Sequence, residues 1–110
     1  VRLLVCGGRD YANASKVNTT LSSYTIDVLI CGCARGADTL AYNYAVRNRI
    51  LLQLFPAKWD TYGKAAGFIR NQQMLDEGKP DLILAFPGGR GTADMCARGI
   101  AAKVEVIHVT

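Results

Sequence analysis

The sequence predicts an α/β fold: a mostly parallel five-stranded sheet, in the order 3-2-1-4-5, with helices on both faces. Three observations predict it. Short leucine-rich and β-branched runs recur along the chain, segments with helical apolar spacing separate them, and glycine-rich turns cluster where runs end. The runs are continuous rather than alternating, as strands covered on both sides must be. Strand–helix alternation with parallel pairing then requires right-handed crossovers.

The elements follow in order. Leu3 to Cys6 is the first strand, and Val17, Leu21 and Tyr24, four and three apart, give the first helix one apolar face. Val28 to Cys31 is the second strand. After Asp38, Leu40, Ala41, Tyr44 and Ala45 repeat the helical pattern. Leu51 to Phe55 is the third strand. A third helix is predicted from about Ala65 to Glu77, stopped by Gly78 and Pro80. Leu82 to Phe86 is the fourth strand. Thr92 is the expected N-cap of a fourth helix that turns Ala93, Cys96, Ala97 and Ile100 inward. Val104 to Val109 closes the series. A single minimal Rossmann-like domain over residues 1–110 is expected, since a chain of this length buries about two thirds of its unfolded surface.

Composition narrows the function classes. Half of the residues are hydrophobic and 20% are charged, with a mean hydropathy of +0.11, which excludes a disordered or low-complexity segment. The longest apolar runs, such as Leu82 to Pro87, are too short to cross a bilayer, so no membrane partner is expected. No basic start with an apolar stretch and cleavage site is present, and a cytoplasmic location is the expectation. The four cysteines then read as buried, reduced thiols. Cys31 and Cys33 flank Gly32, but C-x-C is not the usual zinc knuckle, and neither a metal nor a cofactor is expected.

A net charge of +4 favours an anionic partner, and its distribution says more than its size. Arg9, Arg35 and Arg90 each stand in or beside a glycine-rich stretch, and Lys58, Lys64 and Arg70 lie between the last two of these. Ligands of open α/β sheets bind beyond the carboxyl ends of the strands. There the first strand leads into Gly7-Gly8-Arg9-Asp10. The second leads into Gly32-Cys33-Ala34-Arg35-Gly36-Ala37-Asp38, and the fourth into Pro87-Gly88-Gly89-Arg90-Gly91-Thr92. In the order 3-2-1-4-5 these three strands are neighbours, so their loops converge on one rim. Glycines admit a ligand to the backbone, and the following helix N-termini offer unpaired N–H groups to a phosphate. Gly8, Gly36, Gly88, Gly89, Gly91 and Thr92 are the expected cradle, with Arg9, Arg35, Arg70 and Arg90 as charge partners. Trp59 or Tyr11 would cover a base, whereas Phe68 is expected to pack against the sheet. Gly89-Arg90-Gly91 opens like a dinucleotide fingerprint, but Asp94 stands where its last glycine belongs. There is no Walker stretch and no nucleophile elbow.

These stretches, together with Tyr11, Trp59, Gly63-Lys64-Ala65-Ala66-Gly67, Arg70-Asn71, Met74 and Ala93-Asp94-Met95, resemble the YspA-type branch of the SLOG superfamily. That superfamily groups LOG-type phosphoribohydrolases with Smf/DprA single-stranded-DNA-binding proteins. The resemblance implies a nucleotide-derived small molecule as ligand, single-stranded nucleic acid as the alternative partner, and a homodimer or larger homo-oligomer. The LOG pattern P-G-G-x-G-T-x-x-E is similar to Pro87 to Met95, and R-K-x-x-M to Arg70 to Met74, but Asn71 replaces the lysine and Met95 the glutamate. Cleavage of an N-glycosidic bond needs a carboxylate. Asp94 and Asp38 are the catalytic candidates with Arg70, and Asp10 is a further carboxylate at the rim. The ligand-binding expectation also includes Gly7, Gly32, Lys64, Asn71 and Pro87.

Overall fold

The computed structural model describes residues 1–110. Strands β1 (Arg2–Cys6), β2 (Val28–Cys31), β3 (Leu51–Leu54), β4 (Leu82–Ala85) and β5 (Glu105–His108) form one sheet in the order β3-β2-β1-β4-β5. Every neighbouring pair is parallel, with Leu4 opposite Ile30 on one side and Ile83 on the other. The predicted fold class and strand order are thus both present.

Five α-helices connect the strands: α1 (Ala14–Leu21), α2 (Ala37–Arg47), α3 (Trp59–Tyr62), α4 (Ala66–Gly78) and α5 (Arg90–Ala101), with a 3-10 turn at Gly63–Ala65. On one face of the sheet α1 and α2 bury Val17, Leu21, Ala41 and Ala45 against Leu3, Val5, Leu29 and Leu84. On the other, α4 and α5 bury Met74, Leu75, Met95 and Cys96 against Leu4, Cys6, Ile30 and Ile83. The central strands β1 and β4 therefore contribute to both cores, as their continuous apolar runs predict.

Two local expectations are corrected, and one stretch holds structure that none of them covered. Between β3 and α4 the chain forms α3 and the 3-10 turn, which bury no residue. Gly78 is the last residue of α4, one beyond the expected end at Glu77; a Cβ there would crowd Ile30 Cγ2 at 3.2 Å, and Lys79 at φ 48° makes the left-handed stop. Helix α5 begins at Arg90 with Gly89 as N-cap, so Thr92 lies in the first turn. That start turns Met95, Cys96 and Gly99 inward and leaves Ile100 63% exposed.

No helix is long and apolar enough to cross a membrane. Cys6, Cys31 and Cys96 are free and buried, and Cys33 is free but exposed, contrary to the expectation of burial. Cys33 stands in the β2–α2 turn at φ 61°, where the chain has already left the sheet. Burial pushes the Cys31 thiol up to about 12, an inert core group.

Candidate functional site

The three glycine loops meet at the carboxyl rim of β2, β1 and β4, and they interlock. The Gly8 N–H donates to the Pro87 carbonyl at 2.9 Å, and the Gly8 carbonyl accepts from Tyr11 and Ala37 N–H at 3.3 and 3.2 Å. A Cβ on Gly8 would stand 2.9 Å from the Pro87 oxygen, and one on Gly88 2.7 Å from the Gly8 nitrogen. Gly36, at φ 82°, would press a Cβ onto the Gly8 and Arg9 carbonyls. These glycines let loop lie on loop. Gly89 and Gly91 differ, because a Cβ on either meets no atom within 4 Å.

Above the interlock lies a cavity of about 370 Å³, within the usual range for small-molecule sites of about 300–1,000 Å³. Val5, Cys6 and Met74 contribute apolar lining. Gly7, Gly8 and Arg9 line it from the β1 loop, Ala34 and Asp38 from the β2 loop and α2, and Gly89 to Thr92 from the start of α5. Trp59, Lys64, Gly67, Phe68, Arg70 and Asn71 complete the wall from the α3–α4 segment. The first three N–H groups of α5, those of Arg90, Gly91 and Thr92, precede the first intrahelical bond, which runs from Ala93 to Gly89 at 3.0 Å. At α2 the first N–H, that of Ala37, is already taken by Gly8, whereas none of the first three of α5 has a protein acceptor.

Charge in the cavity is one-sided. Arg9, Lys64, Arg70 and Arg90 line it, and Asp38 is the single carboxylate. Arg9 has its guanidinium carbon 5.5 Å from the centroid of the Trp59 ring, a cation–π arrangement. The Arg70 guanidinium donates through Nη1 to the Gly32 carbonyl, and at 3.4 Å to that of Phe55, while its Nε reaches Asn71 Oδ1 at 3.2 Å. This guanidinium lies where a Gly32 Cβ would be, which explains that glycine.

Asp38, 6% exposed in the first turn of α2, accepts the Gly32 and Ala34 N–H groups on Oδ2 at 3.2 and 3.1 Å. Burial outweighs both hydrogen bonds and the Arg70 charge, and the carboxyl is pushed up to about 6. Asp94 is placed otherwise. Its Oδ2 accepts from Asn71 Nδ2 at 3.0 Å and pairs with Arg98 Nε at 2.8 Å, and the residue does not line the cavity. Met95, fully buried, belongs to the sheet core.

Other predicted residues fall outside this wall. Gly36, Pro87 and Gly88 serve the interlock, while Asp10 and Arg35 form an exposed pair at 3.4 Å. Gly32 and Arg35 line an adjoining groove of about 570 Å³. Tyr11 packs on Phe86 with ring centroids 5.3 Å apart, in the core on the α1–α2 face. Phe68 is 41% exposed and lines the cavity instead of packing on the sheet, because α4 turns Ala66, Asn71, Met74 and Leu75 inward and leaves position 68 off that face. Val5, Cys6, Ala34, Gly67 and Met74 line the wall without having been expected to bind. Position at the carboxyl end of β1 marks the first two, and the other three lie in or beside the stretches that carry the resemblance.

Fold and rim define a Rossmann-like domain whose glycine loops gather at the carboxyl edge of the sheet. The chain belongs to the YspA, cpYpsA-related SLOG family, whose match covers residues 1–62. It is 34% identical over 120 residues to the gene 61 protein of Mycobacterium phage D29, covering 97% of this chain and 94% of that relative. Two solved structures share the fold. DNA processing protein A (DprA) from Streptococcus pneumoniae aligns with a TM-score of 0.54 at 18% identity, over 96% of this chain and 57% of that one. UDP-GlcNAc 2-epimerase from Methanocaldococcus jannaschii aligns with a TM-score of 0.50 at 15% identity, over 97% and 30%. The chain thus spans little more than half of the first and under a third of the second.

Proposed function

We propose that the chain binds a nucleotide or nucleotide-derived ligand in the cavity, with a phosphate at the N-terminus of α5. The observation that carries this reading is the combination at that point of open N–H groups, two glycines facing open space, and flanking Lys64 and Arg90 without protein acceptors. Trp59, 48% exposed on the same wall, offers a ring face to a base. The test is calorimetric titration of nucleoside 5′-monophosphates into wild type and Gly91→Leu. The variant should fold as stably as wild type, since leucine is the better helix former and meets open space, yet lose affinity at least tenfold. Unchanged affinity overturns the α5 cradle.

Hydrolysis of the N-glycosidic bond of such a nucleotide is the reaction this wall fits, because Asp38 is its one carboxylate. Water would attack C1′ as the C1′–N bond breaks. Asp38, ionised above about pH 6, would take the water proton as the C1′–O bond forms, and the leaving base would take a proton from solvent, to which Asp38 returns its own. Free-base release that is equal in wild type and Asp38→Asn overturns this step. An alternative, single-stranded nucleic acid as partner, is favoured by Trp59, Tyr62 and Phe68 standing 48%, 47% and 41% exposed among Lys58 and Lys64. It predicts a steep loss of affinity with salt, whereas a mononucleotide gives a shallow one.

A further inference from the structure

The cavity does not end at Trp59. On the far side of that ring lies the second groove, of about 570 Å³, and the two compartments share Arg9, Ala34, Trp59 and Arg70 as a common wall. Arg35 joins Arg9 and Arg70 in the groove, and no carboxylate lines it. Three guanidiniums with only the exposed Asp10 contact and the buried Asp38 to balance them are costly to hold together unless an anion visits. Their hydrogen-bonding capacity is open as well. Arg9 has no protein acceptor, Arg70 uses Nε and Nη1 but leaves Nη2 unpartnered, and Arg35 touches only Asp10, through an exposed contact at 3.4 Å. The β2–α2 turn that presents Arg35 is held in place, with the buried Asp38 carboxylate gripping two of its N–H groups and Gly36 at φ 82° against the β1 loop. The groove is therefore cationic, walled in common with the cavity and built on a fixed turn.

We propose that this groove is a second subsite and that the ligand is a dinucleotide, one nucleotide in the cavity and a phosphate-linked second unit against Arg9, Arg35 and Arg70. The inference rests on the nucleotide reading of the cavity. Arg9 and Trp59 then act at the join, the cation toward the linking phosphate and the ring toward a base. The cationic lining spans these two compartments only, because the hollow on the other side of Phe68 and Arg70 carries Asp76 and Glu77, and two linked nucleotides fit that span better than a long strand does. The linkage chemistry, pyrophosphate or phosphodiester, is common to both compartments, and the experiment separates the two.

The experiment compares a nucleoside 5′-monophosphate, a pyrophosphate-linked dinucleotide, a phosphodiester-linked dinucleotide and a ten-nucleotide single strand. Each is titrated into wild type, Arg35→Gln and Asp10→Asn. One dinucleotide should bind at least tenfold more tightly than the mononucleotide. Arg35→Gln should weaken that dinucleotide about threefold to fivefold, the scale of an exposed ion pair, and leave the mononucleotide unchanged. Asp10→Asn, which frees Arg35 from its competitor, should strengthen the dinucleotide. Equal binding of mono- and dinucleotides, or an Arg35→Gln loss common to both, overturns the second subsite while the cavity reading stands. A dinucleotide that binds through Arg35 when no mononucleotide binds retains the groove and removes the mononucleotide reading. Silence toward every nucleotide overturns both. A strand that binds far more tightly than either dinucleotide replaces the small ligand with nucleic acid.

Discussion

Replacing Asp38 with asparagine should stabilise the protein at neutral pH and do nothing for it in acid. The carboxyl is 6% exposed, and burial raises it from its ordinary 3.8 to about 6. The folded state therefore holds this proton more tightly than the unfolded chain does. Between about pH 4 and 6 the unfolded chain ionises first, so the contribution of this group to stability falls as pH rises, then stays flat above. The displacement corresponds to about 3 kcal/mol. Asparagine keeps the shape and accepts the Gly32 and Ala34 N–H groups on its carbonyl oxygen, as the protonated acid does. Because the raised value already includes those hydrogen bonds, Asp38→Asn should exceed wild type by about 3 kcal/mol at pH 7.5 and match it near pH 4. Urea unfolding at several pH values measures the difference, which should open through the window from about 4 to 6. Parallel profiles for the two proteins would refute the argument that the charge is held against its own desolvation.

Two further outcomes follow from the same geometry. Gly36→Ala forces a Cβ onto the Gly8 and Arg9 carbonyls at φ 82° and should cost about 2–4 kcal/mol. The Tm should fall by about 10 °C or more, and a loss under 3 °C in a thermal melt would show that the loops are not interlocked there. Trp59 is the sole tryptophan, so intrinsic emission reports on the cavity wall directly. Emission should shift on nucleotide binding and in Arg9→Gln, which removes the cation 5.5 Å from the ring; a calorimetrically bound nucleotide that leaves emission unmoved would place the ligand elsewhere.

The architecture was legible because strands buried on both sides leave continuous apolar runs, and because the glycine loops follow β1, β2 and β4, which the strand order makes neighbours. The segment from Trp59 to Ala65 was not. Its two short turns bury no residue, so no apolar period betrays them, and Phe68 was placed on the sheet when it faces the cavity. The inward face of α5 was misread for a related reason. Alanines at 93 and 97 and Ile100 suit a core-facing stripe as well as Met95, Cys96 and Gly99 do, and only the Gly89 start fixes which stripe meets the sheet.

Glycine itself was the most ambiguous letter at the rim. Gly8, Gly36 and Gly88 are required because backbone meets backbone, which would hold whether or not anything binds, while Gly89 and Gly91 border empty space at an open helix N-terminus. Sequence weighs all five alike. The same displacement applies to the acid. Asp94 is tied to Asn71 and Arg98, and Met95 is sealed under the sheet, so the α5 segment supplies N–H groups but no carboxylate to the cavity. Asp38, arriving from the opposite loop, is the acid that faces it. The resembling pattern has its glycine loop and its acid in one stretch, the one similar to Pro87 to Met95, whereas here the N–H groups without acceptors stand on α5 and the carboxylate in the cavity wall stands on α2. Any chemistry at this rim must therefore depend on the fixed distance between two loops that Gly8 clamps together through Pro87 and Ala37.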